Sequence, residues 1–239
     1  MTLTFDPTVC PEAVLPGALK IAKEAGFDAM VLHCIKTASS PFHPDASVRM
    51  IRDYFDQAGV TLVGLNIRDL TGLNDKGVSN LEACLRQVEW DIHLARSLRL
   101  KSANFLSGAR TDESRDALIS GVNTLLENIT EVTLNIGNST NTCLESIADF
   151  DSIFSELPDR AKIWLNSEQM TDAEQFIDSF VNRIGHVTIN SNSTDIVRVL
   201  KTNGYKGPVV IDLENATGDP TELAQNARIQ IEEIINANE

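Results

Sequence analysis

Apolar and polar residues along this chain follow two periods that take turns, one of about two residues and one of about 3.6. The short period marks β-type runs. These are "LTFD" (Leu3 to Asp6), "AMVLHCI", "VTLVGLNI", "SANFLSG", "VTLNIG", "AKIWLN", "HVTINS" and "GPVVIDLE". Helical stripes lie between them. In "PEAVLPGALKIAKEAG", Leu15, Leu19, Ala22 and Ala25 share a face, Gly26 is the stop, and Pro16 and Gly17 delay the regular part. "DASVRMIRDYFDQAG" is capped by Asp45 and ended by Gly59, and "VSNLEACLRQVEWDIHLARSLRL" is capped by Ser79 or Asn80. "DESRDALISGVNTLLENI", "CLESIADFDSIFSEL", "DAEQFIDSFVNRI", "TDIVRVLKTNG" (stopped at Gly204) and "DPTELAQNARIQIEEIINA" complete the alternation.

Roughly eight strands, each followed by a helix, predict an α/β protein built as a (β/α)8 TIM barrel. No Ser/Gly/Pro-rich linker divides the chain, so residues 1–239 read as one domain. A doubly wound open sheet is the alternative, but no GxGxxG follows the first strand. Closure of a barrel demands that "GPVVIDLE" pair beside "LTFD".

Composition narrows the partners. With 42% hydrophobic and 23% charged residues the chain is ordinary for a globular protein. A net charge of -14 repels phosphate backbones and anionic lipid, so neither nucleic acid nor membrane is an expected partner. Cys10, Cys34, Cys84 and Cys143 show no CxxC or His/Cys spacing, which excludes a zinc finger and a dense disulfide framework. Reduced thiols, no signal-like N-terminus and no apolar span point to a cytoplasmic protein. A homo-oligomer remains open.

In a barrel, chemistry sits at the C-terminal strand ends and in the loops after them. That rule selects His33 and Lys36; Asn66, Arg68 and Asp69; Asn104 and Arg110; Gly137 and Asn138; Asn166 and Glu168; Thr188 and Asn190; Asp212 and Glu214. His43 lies in the loop after the second strand, whereas His93 falls in a helix and His186 begins a strand at the far end.

"ALKIAKEAGFDAMVLH", "DFDSIFSEL", "NRIGHVTIN" and especially "LKTNGYKGPVVIDLEN" resemble the xylose-isomerase-like barrels, the sugar isomerase and epimerase group that includes endonuclease-IV-type enzymes. The resemblance covers nearly the whole chain. It implies a mouth that binds Mn, Mg or Zn through a Glu ending the fifth strand, an Asp ending the sixth, a His ending the seventh and a Glu ending the eighth. Such an ion polarises a sugar carbonyl while carboxylates shuttle the proton beside it. This chain departs at almost every one of those positions. Gly137 falls on the first Glu, Asn166 on the Asp, Gln169 on a nearby His, and Thr188 on the ligand His. Asp212 is the surviving carboxylate, and Val31 stands where a second-strand Glu is often found. A glycine, an amide, a hydroxyl and one carboxylate do not make a tight divalent site. No metal or other cofactor is therefore expected. A substitute site from Asp212, Glu214 and Glu168 is conceivable, but Glu214 reads as a loop carboxylate and Glu168 as the start of the next helix, where its charge suits the dipole.

The mouth offers amides instead. Asn66, Asn104, Asn138, Asn166 and Asn190 fall at or just past the ends of predicted strands, and Asn215 follows the last. Amides donate and accept without charge, which suits a polyhydroxylated ligand; equally, Asn is common in turns and caps. Lys36, Arg68 and Arg110 would suit a carboxylate or phosphate on a sugar, or be ordinary surface charges. "NSNST" lies where barrels often bind phosphate, or Ser193 or Thr194 simply caps a helix. Two functions follow. One is a sugar isomerase- or epimerase-like barrel handling a small sugar or sugar acid, with Asp212, Glu168 and His33 as the acid–base set. The other is a non-catalytic barrel that binds a ligand or serves as a partner subunit. The charge and the missing metal cluster weigh against a DNA-repair nuclease.

Overall fold

Residues 1–34, 47–74 and 76–237 are described by the computed structural model. Its strands are β1 (Thr2–Phe5), β2 (Ala29–His33), β3 (Thr61–Asn66), β4 (Ser102–Leu106), β5 (Thr133–Gly137), β6 (Ala161–Asn166), β7 (Ile184–Asn190) and β8 (Pro208–Asp212). They form a closed barrel in chain order, every neighbour parallel. The seam closes from Thr2 opposite Pro208 to Phe5 opposite Ile211, the pairing closure demanded. The open-sheet alternative falls.

The helices are α1 (Leu15–Glu24), α2 (Val48–Ala58), α3 (Leu81–Ser97), α4 (Asp112–Asn128), α5 (Ile147–Phe154), α6 (Ala173–Phe180), α7 (Thr194–Thr202) and α8 (Pro220–Asn236). No helix among the described residues is long and apolar enough to cross a membrane. Local chemistry sets most of their ends. Asn80 accepts from the Ala83 N–H, and Ser146 and Asp149 form a reciprocal capping box at α5. Gly59 ends α2 at φ +62°, a left-handed turn that Gly takes at little steric cost.

Several expected boundaries move. Asp45, the expected cap of α2, lies outside the described residues, and Ser47 accepts from the Met50 N–H there. Pro16 and Gly17 do not delay α1, because Pro16 sits in the first turn, where its missing N–H would have no helical partner. β8 ends at Asp212, so Glu214 shares no strand face with it. β7 starts at Ile184, which puts His186 inside the strand rather than at its start.

Strand alternation divides the interior in two. Leu32, Leu65, Phe105, Leu134, Ile136, Ile163, Leu165, Val187, Ile189, Val209 and Ile211 join the apolar layer beneath the helices. Intervening residues point into the barrel. A carbon added at Gly64 would stand 3.3 Å from Asn104 Nδ2, 3.7 Å from His186 Cε1 and 3.7 Å from Val31 Cγ2, so four strands converge there. A register shift between Ile163 and Trp164 sets Trp164 opposite His186 and Asn166 opposite Thr188.

The α5–α6 side of the outer layer is held by aromatics. Phe150 meets Phe176 edge-on at 4.8 Å between centroids and stacks on Phe154 at 5.4 Å. Phe150 is fully buried, so Phe150→Ala should cost about 3–5 kcal/mol. Urea unfolding checks this, and a loss below about 1 kcal/mol would mean that the layer closes over the cavity.

Candidate ligand site at the barrel mouth

Strand alternation aims Asn66, Asn104 and Asn135 at the inside of β3, β4 and β5, where water cannot serve them, and all three are buried. They serve one another. Asn135 Nδ2 donates to Asn104 Oδ1 at 2.7 Å, and Asn104 Nδ2 donates to Asn66 Oδ1 at 2.8 Å. Asn66 Nδ2 then lies 3.4 Å from His33 Nδ1, and His33 Nε2 lies 3.0 Å from Asp6 Oδ1. The same carboxylate oxygen accepts from the Thr8 N–H at 3.0 Å and the Thr8 hydroxyl at 2.8 Å. Read in this direction the row suits a neutral His33 carrying its proton on Nε2. Protonation of His33 puts N–H groups on both sides of the ring, so Asn66 must turn over, and Asn104 and Asn135 with it.

Burial pulls the His33 imidazole down, but Asp6 and, more weakly, Glu214 and Asp212 outweigh it, and the net shift is upward. Burial pushes the Asp6 carboxyl up, yet His33 and the Thr8 donors leave it below its ordinary value. His186, fully buried in the barrel, is pushed down to about 4 by burial. Both its ring nitrogens and Asn135 Oδ1 lack a hydrogen-bond partner among the described residues.

The other side of the mouth is built around Trp164. Its Nε1 donates to Thr188 Oγ1 at 2.9 Å, and its ring meets His186 edge-on with centroids 6.0 Å apart. A carbon added at Gly137 would stand 2.8 Å from Trp164 Cε3, 3.2 Å from Trp164 Cδ2 and 2.7 Å from Leu106 Cδ2. The indole therefore occupies the volume a side chain at position 137 would need. Asn138 does not face the mouth with a free amide. Its Nδ2 donates to the Asn166 carbonyl at 2.9 Å and its Oδ1 accepts the Asn166 N–H at 2.7 Å, stitching the ends of β5 and β6 together.

Glu168 does not start α6 but sits in the 3-10 turn Ser167–Gln169, whose first N–H groups Asn166 caps through a 3.2 Å bond to the Glu168 N–H. Glu168 Oε1 is 2.8 Å from Ser193 Oγ, which also lies 3.0 Å from Asn190 Oδ1. One hydroxyl proton serves one acceptor at a time, and the charged Glu168 is the stronger. Ser193 thus makes no side-chain cap to α7, despite its N-cap position. Asp212 Oδ1 accepts the Glu214 N–H at 2.9 Å.

The cations are committed elsewhere. Arg68 pairs with buried Asp91 at 2.7 Å. Arg110 binds Glu145 at 2.7 Å and Asp149 at 3.0 Å, on the α4–α5 side. Lys36 and His43 lie outside the described residues. Asp69 accepts the Leu106 N–H and is pushed up by burial.

The residues present do not fit a divalent ion at the position the resemblance implies. Gly137 has no donor and Trp164 fills its space; Thr188 Oγ1 accepts the indole N–H; and one oxygen each of Asn166 and Asp212 is bound to a backbone N–H. Among the described residues no three His, Cys, Asp or Glu are grouped to hold a metal.

With this geometry in hand, comparison with known proteins assigns the family. Residues 19–234 match the model of the xylose isomerase-like TIM barrel family. The chain belongs to that family. No curated protein matches it by sequence. Among solved structures, 3-keto-D-glucoside 4-epimerase from E. coli superposes with a TM-score of 0.76 at 12% identity, over 97% of this chain and 99% of that one. D-allulose 3-epimerase from Methylomonas sp. gives 0.78 at 14% identity, with 98% of each chain covered. A fusion of a xylose isomerase-like TIM barrel with a 4-hydroxyphenylpyruvate dioxygenase gives 0.78 at 13% identity; it covers 98% of this chain, which spans 43% of the fusion. At these identities the likeness is one of fold.

Sequence reasoning overlooked Asp6, Asn135 and Trp164, and read Ser193 as part of a phosphate loop or a helix cap rather than as the partner of Glu168. Asp6 ends the first predicted strand, so the strand-end rule that selected the others would have reached it. Asn135 and Trp164 lie two residues before selected positions on the same strand face, a spacing that signals the same side of the sheet.

Two expectations follow. His33, raised, contributes stability that is complete below its ordinary 6.5 and lost as pH rises through its folded value. His186, lowered, contributes stability that is complete above 6.5 and lost as pH falls toward about 4; that of Asp6 goes only below its ordinary 3.8. Stability measured by urea unfolding should therefore peak near pH 6.5, and His33→Gln should flatten the alkaline limb. An alkaline limb unchanged by that substitution would disprove the assignment. Gly137→Ala should cost about 1–3 kcal/mol by pressing on the indole and alter tryptophan emission; no change in either would show that the space is open.

Proposed function

We propose that this protein is a sugar isomerase- or epimerase-like barrel that binds a small sugar or sugar acid at its mouth, without a divalent ion at the position its family uses. The observation that carries the reading is the Trp164 indole seated over Gly137 with its N–H on Thr188. Amides, hydroxyls and carboxylates around it are the donors and acceptors a polyol needs. The epimerases of known structure with the same barrel support a sugar as the ligand class.

Isomerisation and epimerisation remove a proton from the carbon beside a carbonyl and return one to a neighbouring atom or the opposite face. Asp212 and Glu168 are the candidate carboxylates, each retaining one oxygen without a hydrogen bond among the described residues. His33 holds Asp6 and Asn66 on its two nitrogens, which suits positioning better than proton transfer to a ligand. Charge developing on the enolate oxygen would have to be met by N–H and O–H donors. The commitment of Arg68 and Arg110 to carboxylates favours a second reading, a barrel that binds the sugar without turning it over.

Elemental analysis of the purified protein should give far less than one Mn, Zn or Mg per chain, and Mn²⁺ should leave sugar-induced thermal shifts unchanged. Asp212→Asn should weaken sugar binding about tenfold, the loss of one charge-assisted hydrogen bond, with the fold intact. A stoichiometric ion, or undiminished binding in the variant, would refute the respective part. Sugar-dependent exchange of the carbon-bound proton in D2O separates turnover from binding.

A further inference from the structure

Trp164 is held by three contacts that fix the plane of its ring. The N–H is anchored on Thr188 of β7, the benzo edge lies over Gly137 of β5, and His186 meets it edge-on from the closed interior. His186 is fully buried, while Trp164, two residues before the mouth end of β6 at Asn166, keeps partial exposure. A rigid aromatic surface with few rotatable bonds, flanked by polar acceptors, is the arrangement that binds the C–H face of a sugar ring while its hydroxyls reach the rim.

The rim also has a sign. Asp212 and Glu214 lie close enough to His33 to raise its pKa, and Glu168 stands beside Asn190 and Ser193. The guanidinium groups of Arg68 and Arg110 are bound to Asp91, Glu145 and Asp149. Among the described residues the rim is therefore anionic. It accepts hydroxyl protons and repels a carboxylate or phosphate.

We infer that Trp164 is the floor of the ligand site, a specificity-determining contact that stacks on the apolar face of a sugar carrying no anionic group. This rests on the sugar-binding reading above and narrows it. Gly137 and Thr188 then have a joint function, since one clears the space for the ring and the other orients it.

Trp90, the other tryptophan, is 59% exposed on α3, so Trp90→Phe leaves Trp164 as the reporter without touching the site. In that background, D-glucose, D-xylose and D-fructose are titrated by fluorescence and calorimetry, followed by D-glucuronate and a hexose phosphate. At least one neutral sugar should change Trp164 emission saturably, with the anionic sugars at least about tenfold weaker. Trp164→Leu should weaken the neutral sugar about tenfold, and Trp164→Phe should keep most of the affinity. Calorimetric binding that leaves emission unchanged, or that Trp164→Leu does not weaken although the variant melts cooperatively, overturns the stacking floor and leaves the sugar-binding reading standing. Tighter binding of glucuronate or the phosphate overturns the selection by charge. No binding of any sugar overturns both readings.

Discussion

A polar side chain that a closed parallel barrel turns inward and buries depends on its neighbours for hydrogen bonds, because an unpaired buried group costs free energy. The row from Asn135 through Asn104 and Asn66 to His33 and Asp6 meets that constraint on the β1–β5 side. Asn104 and Asn66 use both ends of their amides, Asn135 enters the row as a donor, and the row ends on a carboxylate that Thr8 also holds. Removing an interior member such as Asn104 would leave both its neighbours short of a partner, so the row acts as a unit. It also fixes the imidazole of His33, whose proton position sets the orientation of the three amides behind it.

The β5–β7 side answers the same constraint differently. There the interior is filled by an indole, whose single N–H needs one acceptor and finds Thr188. Gly137 is required because any side chain there would collide with the ring. The glycine that ends β5 and the Thr188 hydroxyl on β7 thus belong to one packing solution around the indole. The donors that remain, Asn166 and Asp212, are partly used in local turns at the strand ends. The alternate strand residues face the helices instead and form the apolar layer beneath them.

The electrostatics of the mouth follow from where the arginines go. Arg68 folds back onto Asp91 of α3, and Arg110 bridges to Glu145 and Asp149 on the α5 side. Each choice moves a positive charge away from the strand ends and leaves the carboxylates there dominant among the described residues. The two guanidinium groups are thereby spent on protein carboxylates.

How much of this was written in the chain divides along a physical line. Periodicity is a local property, so the sequence by itself determined the eight strand–helix units, the closure of β8 on β1 and the emptiness of the Gly137 position. Strand ends fall within a residue or two of the expected places because Gly and Asn break patterns locally. Partners are not local. That Asn104 serves Asn66, that Arg110 leaves for Glu145, and that Trp164 fills the space over Gly137 depend on inter-strand register, including the shift between Ile163 and Trp164. Asp6 and Asn135 were visible as residues but not as members of a row, since that row links strands far apart in sequence. Only the closed barrel brings them within hydrogen-bond reach, and only there does burial make the bonds obligatory.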